Sequence, residues 1–298
     1  MGIKDSFLYQ YLKELFLRLK VTFFPEMEVN RCYFKSYGKN CNLKNPKNLI
    51  EKVYWMELHS DTTLWTLCAD KYRVREYIDE KGLIDYMPKL YGHWDNVSEI
   101  DFNTMPNSFV IKANNGCGTV RVINNKKECN IGKLKKELKR WLIIPYGWSN
   151  AQIHYTRIKP CILAEEVLSN DYLSISPESL VDFKVWCING IPEYILVVFD
   201  RTEEDHKIEI FDTEWNYHPE FIKPRLRREE STFIKPACLE KMLELSKIIS
   251  EPFSEIRVDF YVVNGKPVIG ELTFTAGYGN CTEEFYLKMG EQVDINNK

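Results

Sequence analysis

Several chemistry-bearing patterns are missing from this sequence, and each absence narrows the field. The nine cysteines, Cys32, Cys41, Cys68, Cys117, Cys129, Cys161, Cys187, Cys238 and Cys281, contain no Cys-x-x-Cys pair, and their odd number cannot close into a full disulfide set. They read as small buried hydrophobes in a reducing compartment, so a cytoplasmic location is expected. The five histidines, His59, His93, His154, His206 and His218, have no metal-ligand spacing. No charge of one sign dominates: 40 Lys and Arg stand against 43 Asp and Glu, a formal net charge of −3. That balance makes no field for a polyanion, and no nucleic-acid partner is expected. No apolar run approaches the ~18 residues of a spanning helix. Asp5 and Glu14 interrupt the start and no small-residue cleavage pattern follows, so neither a transmembrane segment nor a signal peptide is read. Internal repeats and low-complexity segments are absent too.

What is present is the composition of an ordinary globular protein. At 298 residues, 44% hydrophobic and 28% charged, the chain is long enough for a substantial core and roughly two domains. Near the N-terminus Leu8, Tyr11, Leu12, Leu15, Phe16 and Leu19 recur at helical spacing, opposite Lys13, Arg18 and Lys20. The favoured reading is a helix docked on its own core; a peripheral contact with a membrane surface or a partner protein is the alternative.

Further on, residues 42–65 read as turn, helix and turn, with Pro46 placed to begin the helix. A second helix is expected through ADKYRVREYIDEKG, stopping near Gly82. At Phe109–Lys112 the period changes to that of a strand, followed by the loop Asn114-Asn115-Gly116-Cys117-Gly118 and a second strand through Val120 and Val122. IGKLKKELKRWL is an amphipathic helix with Leu134, Leu138, Trp141 and Leu142 on one face, its lysines the solvated side. Two hairpins turn on Asn189-Gly190 and Asn264-Gly265, dipeptides that accept the positive φ of tight turns. Between them Pro236 opens a helix carrying Leu239, Met242, Leu243 and Ile249. Hairpins mixed with helices predict an α+β fold rather than a doubly wound parallel sheet.

The second hairpin is the most informative segment. Alternation sends Ile256, Val258 and Phe260 to the core and leaves Arg257, Asp259 and Tyr261 on the other face. Glu271 and Thr273 share a face on the following strand. Two carboxylates and a neutral oxygen suit a hard cation such as Mg²⁺, which leaves room for phosphates. A strict two-residue turn would pair Asp259 with Gly270 and send Glu271 to the wrong face, so a one-residue offset is predicted. The plainer alternative is an exposed salt bridge between Arg257 and Asp259.

Four further features are open to similar double readings. Lys112 precedes a loop whose glycines would let N–H groups approach phosphates, although such a loop is often only a turn. The loop lacks the Gly-Lys-[Ser/Thr] ending of a Walker A motif. Lys71 and Arg75 lie four apart and would share a helical face. Lys184, among apolar strand neighbours, needs an anionic partner. Glu165-Glu166-Val167-Leu168 ends an apolar strand.

In this order the segments resemble the TupA-like ATP-grasp family of polysaccharide gene clusters. The likeness runs from NLKNPKNLIEKVYWMELHSD and ADKYRVREYI through IDFNTMPNSFVIKANNGCG and VDFKVWCINGIP to IRVDFYVVNGKPVIGELTF, most of the chain after about residue 30. It implies two α+β subdomains gripping ATP, residues 69–164 with the phosphate flap and 165–298 with the metal site, behind a mainly helical region 1–68. Lys112 and Lys184 would contact phosphates, with Lys71 and Arg75 near them, under a flap containing Gly116 and Gly118. Glu165, Glu166 and Val167 would form the adenine hinge. Asp259 and Glu271, with Thr273 where many ATP-grasp enzymes have Asn, would hold Mg²⁺ or Mn²⁺, and Arg257 would stabilise transition-state charge. Asn115 and Cys117 stand where His and Ser are usual in the family.

The implied reaction joins a carboxylate to an amine, on small-molecule or saccharide substrates, in bacterial cell-surface polysaccharide synthesis. An amino acid attached to a uronic acid is the family-level expectation. A carboxylate repels nucleophiles until phosphoryl transfer from ATP makes it an acyl phosphate. A glycosyltransferase, an ATP-dependent sugar kinase and a non-catalytic relative are the rival readings; the first is disfavoured because no Asp-x-Asp occurs.

Overall fold

The computed structural model describes residues 7–144, 146–177, 179–202, 205–231, 233–275 and 279–295, with side chains from residue 15 onward. Five helices open the chain: α1 (Phe7–Phe23), α2 (Pro25–Tyr37), α3 (Leu49–His59), α4 (Thr63–Ala69) and α5 (Val74–Glu80). Strands β1 (Leu90–Trp94), β2 (Phe109–Ala113) and β3 (Val120–Ile123) precede α6 (Ile131–Trp141), α7 (Ile153–Thr156) and β4 (Ile162–Glu165). Strands β5 (Asp182–Ile188), β6 (Ile191–Phe199) and β7 (Lys207–Asp212) lead to α8 (Leu239–Ser250). The last elements are β8 (Glu255–Val263), β9 (Lys266–Thr273) and α9 (Glu283–Gln292).

The strands form two antiparallel sheets, β1-β4-β2-β3 and β7-β6-β5-β8-β9, as the α+β expectation requires. In the smaller sheet Phe109, Ile111 and Ala113 point into a core completed by Leu134, Leu138 and Trp141 of α6. The opposite face of β2 therefore carries Val110 and Lys112. In the larger sheet α8 covers one face with Leu239, Met242, Leu245 and Ile249. Ile256, Val258 and Phe260 are fully buried beneath it. Both hairpin turns place Asn at positive φ, 50° at Asn189 and 51° at Asn264.

Helix α3 begins at Asn48, whose side chain and that of Glu51 cap each other's backbone N–H, rather than at Pro46. It packs on α9 through a close approach at Gly290, where an added Cβ would sit 2.3 Å from the Lys47 carbonyl oxygen.

Three expectations change. The α5 helix starts at Val74 instead of residue 69, because the Asp70 carboxylate accepts N–H bonds from Tyr72 and Arg73 and holds residues 70–73 in turns. Lys71 and Arg75 thus do not share one helical face. The turn expected to close the segment 42–65 runs into α4, which begins at Thr63. Helix α1 packs on α2, yet its row is turned outward: Leu15, Phe16 and Leu19 are 43%, 57% and 48% exposed, while Val21 is buried. The docked reading fails for these residues because the helix contributes a different face. Leu8, Tyr11 and Leu12 lie outside the described side chains. No helix among the described residues is long and apolar enough to cross a membrane.

Candidate active site

Strand register builds the site. Phe260 pairs with Ile269 and Asp259 with Glu271, so Gly270 is the extra residue of a β-bulge. This is the offset the sequence requires. Lys184 on β5 pairs with Asp259, and Trp186 with Arg257, which in turn pairs with Thr273. Two rows therefore cross three strands on one face: Lys184, Asp259 and Glu271, then Trp186, Arg257 and Thr273.

The contacts follow from the rows. Lys184 Nζ lies 2.5 Å from Asp259 Oδ2, and Arg257 donates from Nε and Nη2 to both Asp259 oxygens at 2.7 and 2.8 Å. Arg257 Nη2 also donates to the Thr273 hydroxyl at 3.3 Å. Its guanidinium stacks over Trp186 at 5.9 Å. Asp259 is 3% and Arg257 9% exposed, so this pair is buried and is not the exposed salt bridge that stood as the alternative.

The smaller sheet and the α5 turn supply the remaining cations. Lys71 Nζ donates to Glu271 Oε1 and to the Gly116 carbonyl, both at 2.7 Å, tying β9 to the glycine loop after β2. Gly116 and Gly118 have φ of +80° and +77°, the left-handed region a side chain would strain. Beside Gly116 the Tyr146 ring occupies the space of a Cβ. Lys112 Nζ is bonded to Glu165 Oε2, and Arg75 Nη2 donates to Glu165 Oε1 at 2.8 Å. Glu165 thus turns a buried carboxylate toward two cations. Glu166 faces elsewhere, its side chain accepting from Lys89 N at 2.7 Å, and Val167 is half-buried on the connection beyond.

Electrostatics keep both facing acids ionised. Burial by itself would raise the Asp259 carboxyl, but Arg257 and Lys184 beside it hold it below its ordinary value. Glu271 is likewise raised by burial and by Asp259, and lowered further by Lys71 and Lys184. Two ionised carboxylates on adjacent strands fit Mg²⁺, which binds through one or two carboxylates and keeps waters and phosphates. Among the described residues no group of three or more His, Cys, Asp or Glu is gathered, so a closed protein cage is not what this donor set offers.

Two cavities share Arg257 as a wall. One of about 490 Å³ also reaches Glu271, Gly116 and α2. The other, about 290 Å³, lies toward Lys184, Arg201 and His206. Sequence reading missed the α2 residues Arg31 and Lys35 and the pocket tyrosines Tyr146 and Tyr155. It also gave no role to Asp182, which pairs with Arg201 at 2.8 Å and sits 3.5 Å from Lys184. Only the alternation of Asp182 with Lys184 signalled the last of these.

The sequence profile of the family described as TupA-like ATPgrasp matches residues 51–294. No curated protein matches. Among solved structures, D-alanine–D-alanine ligase from Bacillus anthracis is similar at 15% identity and a TM-score of 0.45, over 76% of this chain and 67% of that one. L-amino acid ligase from Bacillus licheniformis is similar at 15% identity and a TM-score of 0.45, over 84% of this chain and 55% of that one. Phosphoribosylamine–glycine ligase from Thermotoga maritima follows at 13% and 0.38, over 73% and 52%. The chain spans about half to two thirds of the length of these structures.

Proposed function

Because the chain belongs to the TupA-like ATP-grasp family, we propose that it is an ATP- and Mg²⁺-dependent carboxylate–amine ligase of bacterial cell-surface polysaccharide synthesis. The observation that carries this reading is the cross-strand row Lys184–Asp259–Glu271, closed from the other sheet by Lys71 and the flap. An amino acid and a uronic acid are the substrates the family resemblance implies. Residues 69–164 and 165–298 are taken as the two gripping halves, behind the helical region 1–68.

In this reading Asp259 and Glu271 hold Mg²⁺, for which Mn²⁺ would substitute, and the metal neutralises phosphate charge when bound. Lys112, Lys184, Lys71 and Arg75 surround the phosphates, and the flap at Gly116 and Gly118 keeps water from the acyl phosphate. The hinge at Glu165, Glu166 and Val167 receives adenine. Arg257, facing two cavities, stabilises the oxyanion formed when the amine attacks. The outward row Leu15, Phe16 and Leu19 supports a peripheral contact of α1 with a membrane surface or a partner protein; vesicle co-sedimentation separates the two.

The test is nucleotide release and amide formation with candidate carboxylates and amines. We expect ADP, strict dependence on divalent metal, and a loss of about 100-fold or more in turnover for Asp259→Asn and Glu271→Gln. Release of UDP would favour a glycosyltransferase, and a phosphorylated product whose mass ignores added amine would favour a kinase. Full turnover by both variants would end the ligase reading.

A further inference from the structure

The cavity of about 490 Å³ beside Arg257 has two cationic side chains in its lining, Arg31 and Lys35, that the ligase chemistry leaves unused. Its lining combines Arg257, Glu271, Gly116 and Cys117 with α2, which contributes Arg31 and Lys35. These two lie four apart and share a helical face. Arg31 is held in place: its Nε donates to Glu28 Oε2 at 2.6 Å and its Nη2 to the Ser149 carbonyl at 3.0 Å. Glu28 is itself only 1% exposed, so the anchor is rigid. Lys35 has no acidic partner among the described residues. Among the described residues that line the cavity Glu271 is the one acid, and it is paired with Lys71. Arg31 is thus paired with Glu28 and Arg257 with Asp259, which leaves Lys35 as the lining cation with no counter-charge among the described residues.

An anionic group beside Lys35 would supply the counter-charge it lacks, which a neutral or cationic molecule would not. A volume of about 490 Å³ exceeds what one small carboxylate needs and lies in the range of sites for larger ligands. We propose that this cavity takes a substrate with two anionic groups: one carboxylate at Arg257, and a second acidic group, carboxylate or phosphate, between Arg31 and Lys35. The assignment of the first group to activation rests on the ligase reading. The second anion site stands on α2 alone.

Linear dicarboxylates of four to eight carbons, their half-amides, and the matching ω-phosphonocarboxylates are the probes, titrated into the full chain with Mg²⁺ and ADP. At one chain length or more, the dianion is expected to bind about tenfold tighter than its half-amide. The phosphono series shows whether carboxylate or phosphate is the preferred second group. Lys35→Met should reduce the preference to below about twofold, and Lys35→Arg should retain it. Lys35 is exposed, so the unfolding midpoint of either variant checks that folding is intact. Equal binding of dianion and half-amide at every length, no binding of either, or a preference surviving Lys35→Met would overturn the proposal. ATP turnover by the parent is read separately. Its absence with the dianion preference intact would remove the ligase reading alone, and turnover without the preference would remove this one alone.

Discussion

Asp259→Asn keeps the size of the side chain and removes the one charge shared by two buried cations. Lys184 and Arg257 have side chains 12% and 11% exposed, and both bond to Asp259. Breaking a buried ion pair by removing one partner costs about 3–5 kcal/mol. Lys184 keeps Asp182 at 3.5 Å and Arg257 keeps the Thr273 hydroxyl at 3.3 Å, so the low end, about 3 kcal/mol, is expected. The pH dependence has a definite sign. The folded-state pKa of Asp259 lies below its ordinary value, so its contribution is present above the unfolded value and is lost as pH falls through the folded one. The difference between parent and variant should therefore be full at neutral pH and shrink below about pH 4. Urea unfolding at neutral pH and at two acidic values reads this directly. The double variant D259N/K184M should recover part of the loss, since it removes one of the stranded cations. Equal stabilities at neutral pH, or a gap that widens on acidification, would refute the pairing.

Two further outcomes test other parts of the molecule. Burial pushes the Glu255 carboxyl well above its ordinary value, against the pull of Arg257, and its Oε2 has no hydrogen-bond partner. A raised folded value means stability is complete below the unfolded pKa and falls as pH rises toward the folded one, so Glu255→Gln should raise the unfolding midpoint at pH about 8 and change little near pH about 4; identical pH profiles would contradict this. Gly290→Ala should lower the thermal midpoint although alanine is the better helix former by about 1 kcal/mol. The new Cβ would fall 2.3 Å from the Lys47 carbonyl oxygen, and overpacking of about 1–3 kcal/mol outweighs propensity.

Local rules carried far along this chain. Asn189-Gly190 and Asn264-Gly265 marked both hairpins because few other dipeptides accept their turn angles. The bulge at Gly270 was legible for another reason: only an offset register lets Asp259 and Glu271 face each other without moving Phe260 out of the core. What stayed hidden depends on distant partners. Lys71 and Glu271 are 200 residues apart, and only the family resemblance hinted that they belong together. Arg31 and Lys35 look like the solvated side of any helix until α2 is placed over the cavity. The outward row of α1 shows the same limit, since periodicity finds an apolar face but not what covers it. Asp70 illustrates a local competition that periodicity overlooks, its carboxylate satisfying N–H groups that an earlier helix start would have used.

The charges of the site bear on what it can hold. Arg75 and Lys112 pair with Glu165, while Lys71 pairs with Glu271 and Lys184 and Arg257 pair with Asp259, five cations against three carboxylates. Asp182 does not alter the balance, because Arg201 pairs with it. Each group carries one surplus positive charge, Arg75 and Lys112 about Glu165 and Lys71, Lys184 and Arg257 about Asp259 and Glu271, two in all, and a partly desolvated surplus favours anions more strongly than the same charges in water would. A magnesium-bound nucleoside triphosphate carries a negative surplus of about the same size. A lone metal ion would instead enlarge the surplus and should bind weakly without nucleotide. Calorimetric titration checks this: Mg²⁺ binding to the free protein that is as tight as in the presence of ADP would contradict the charge argument.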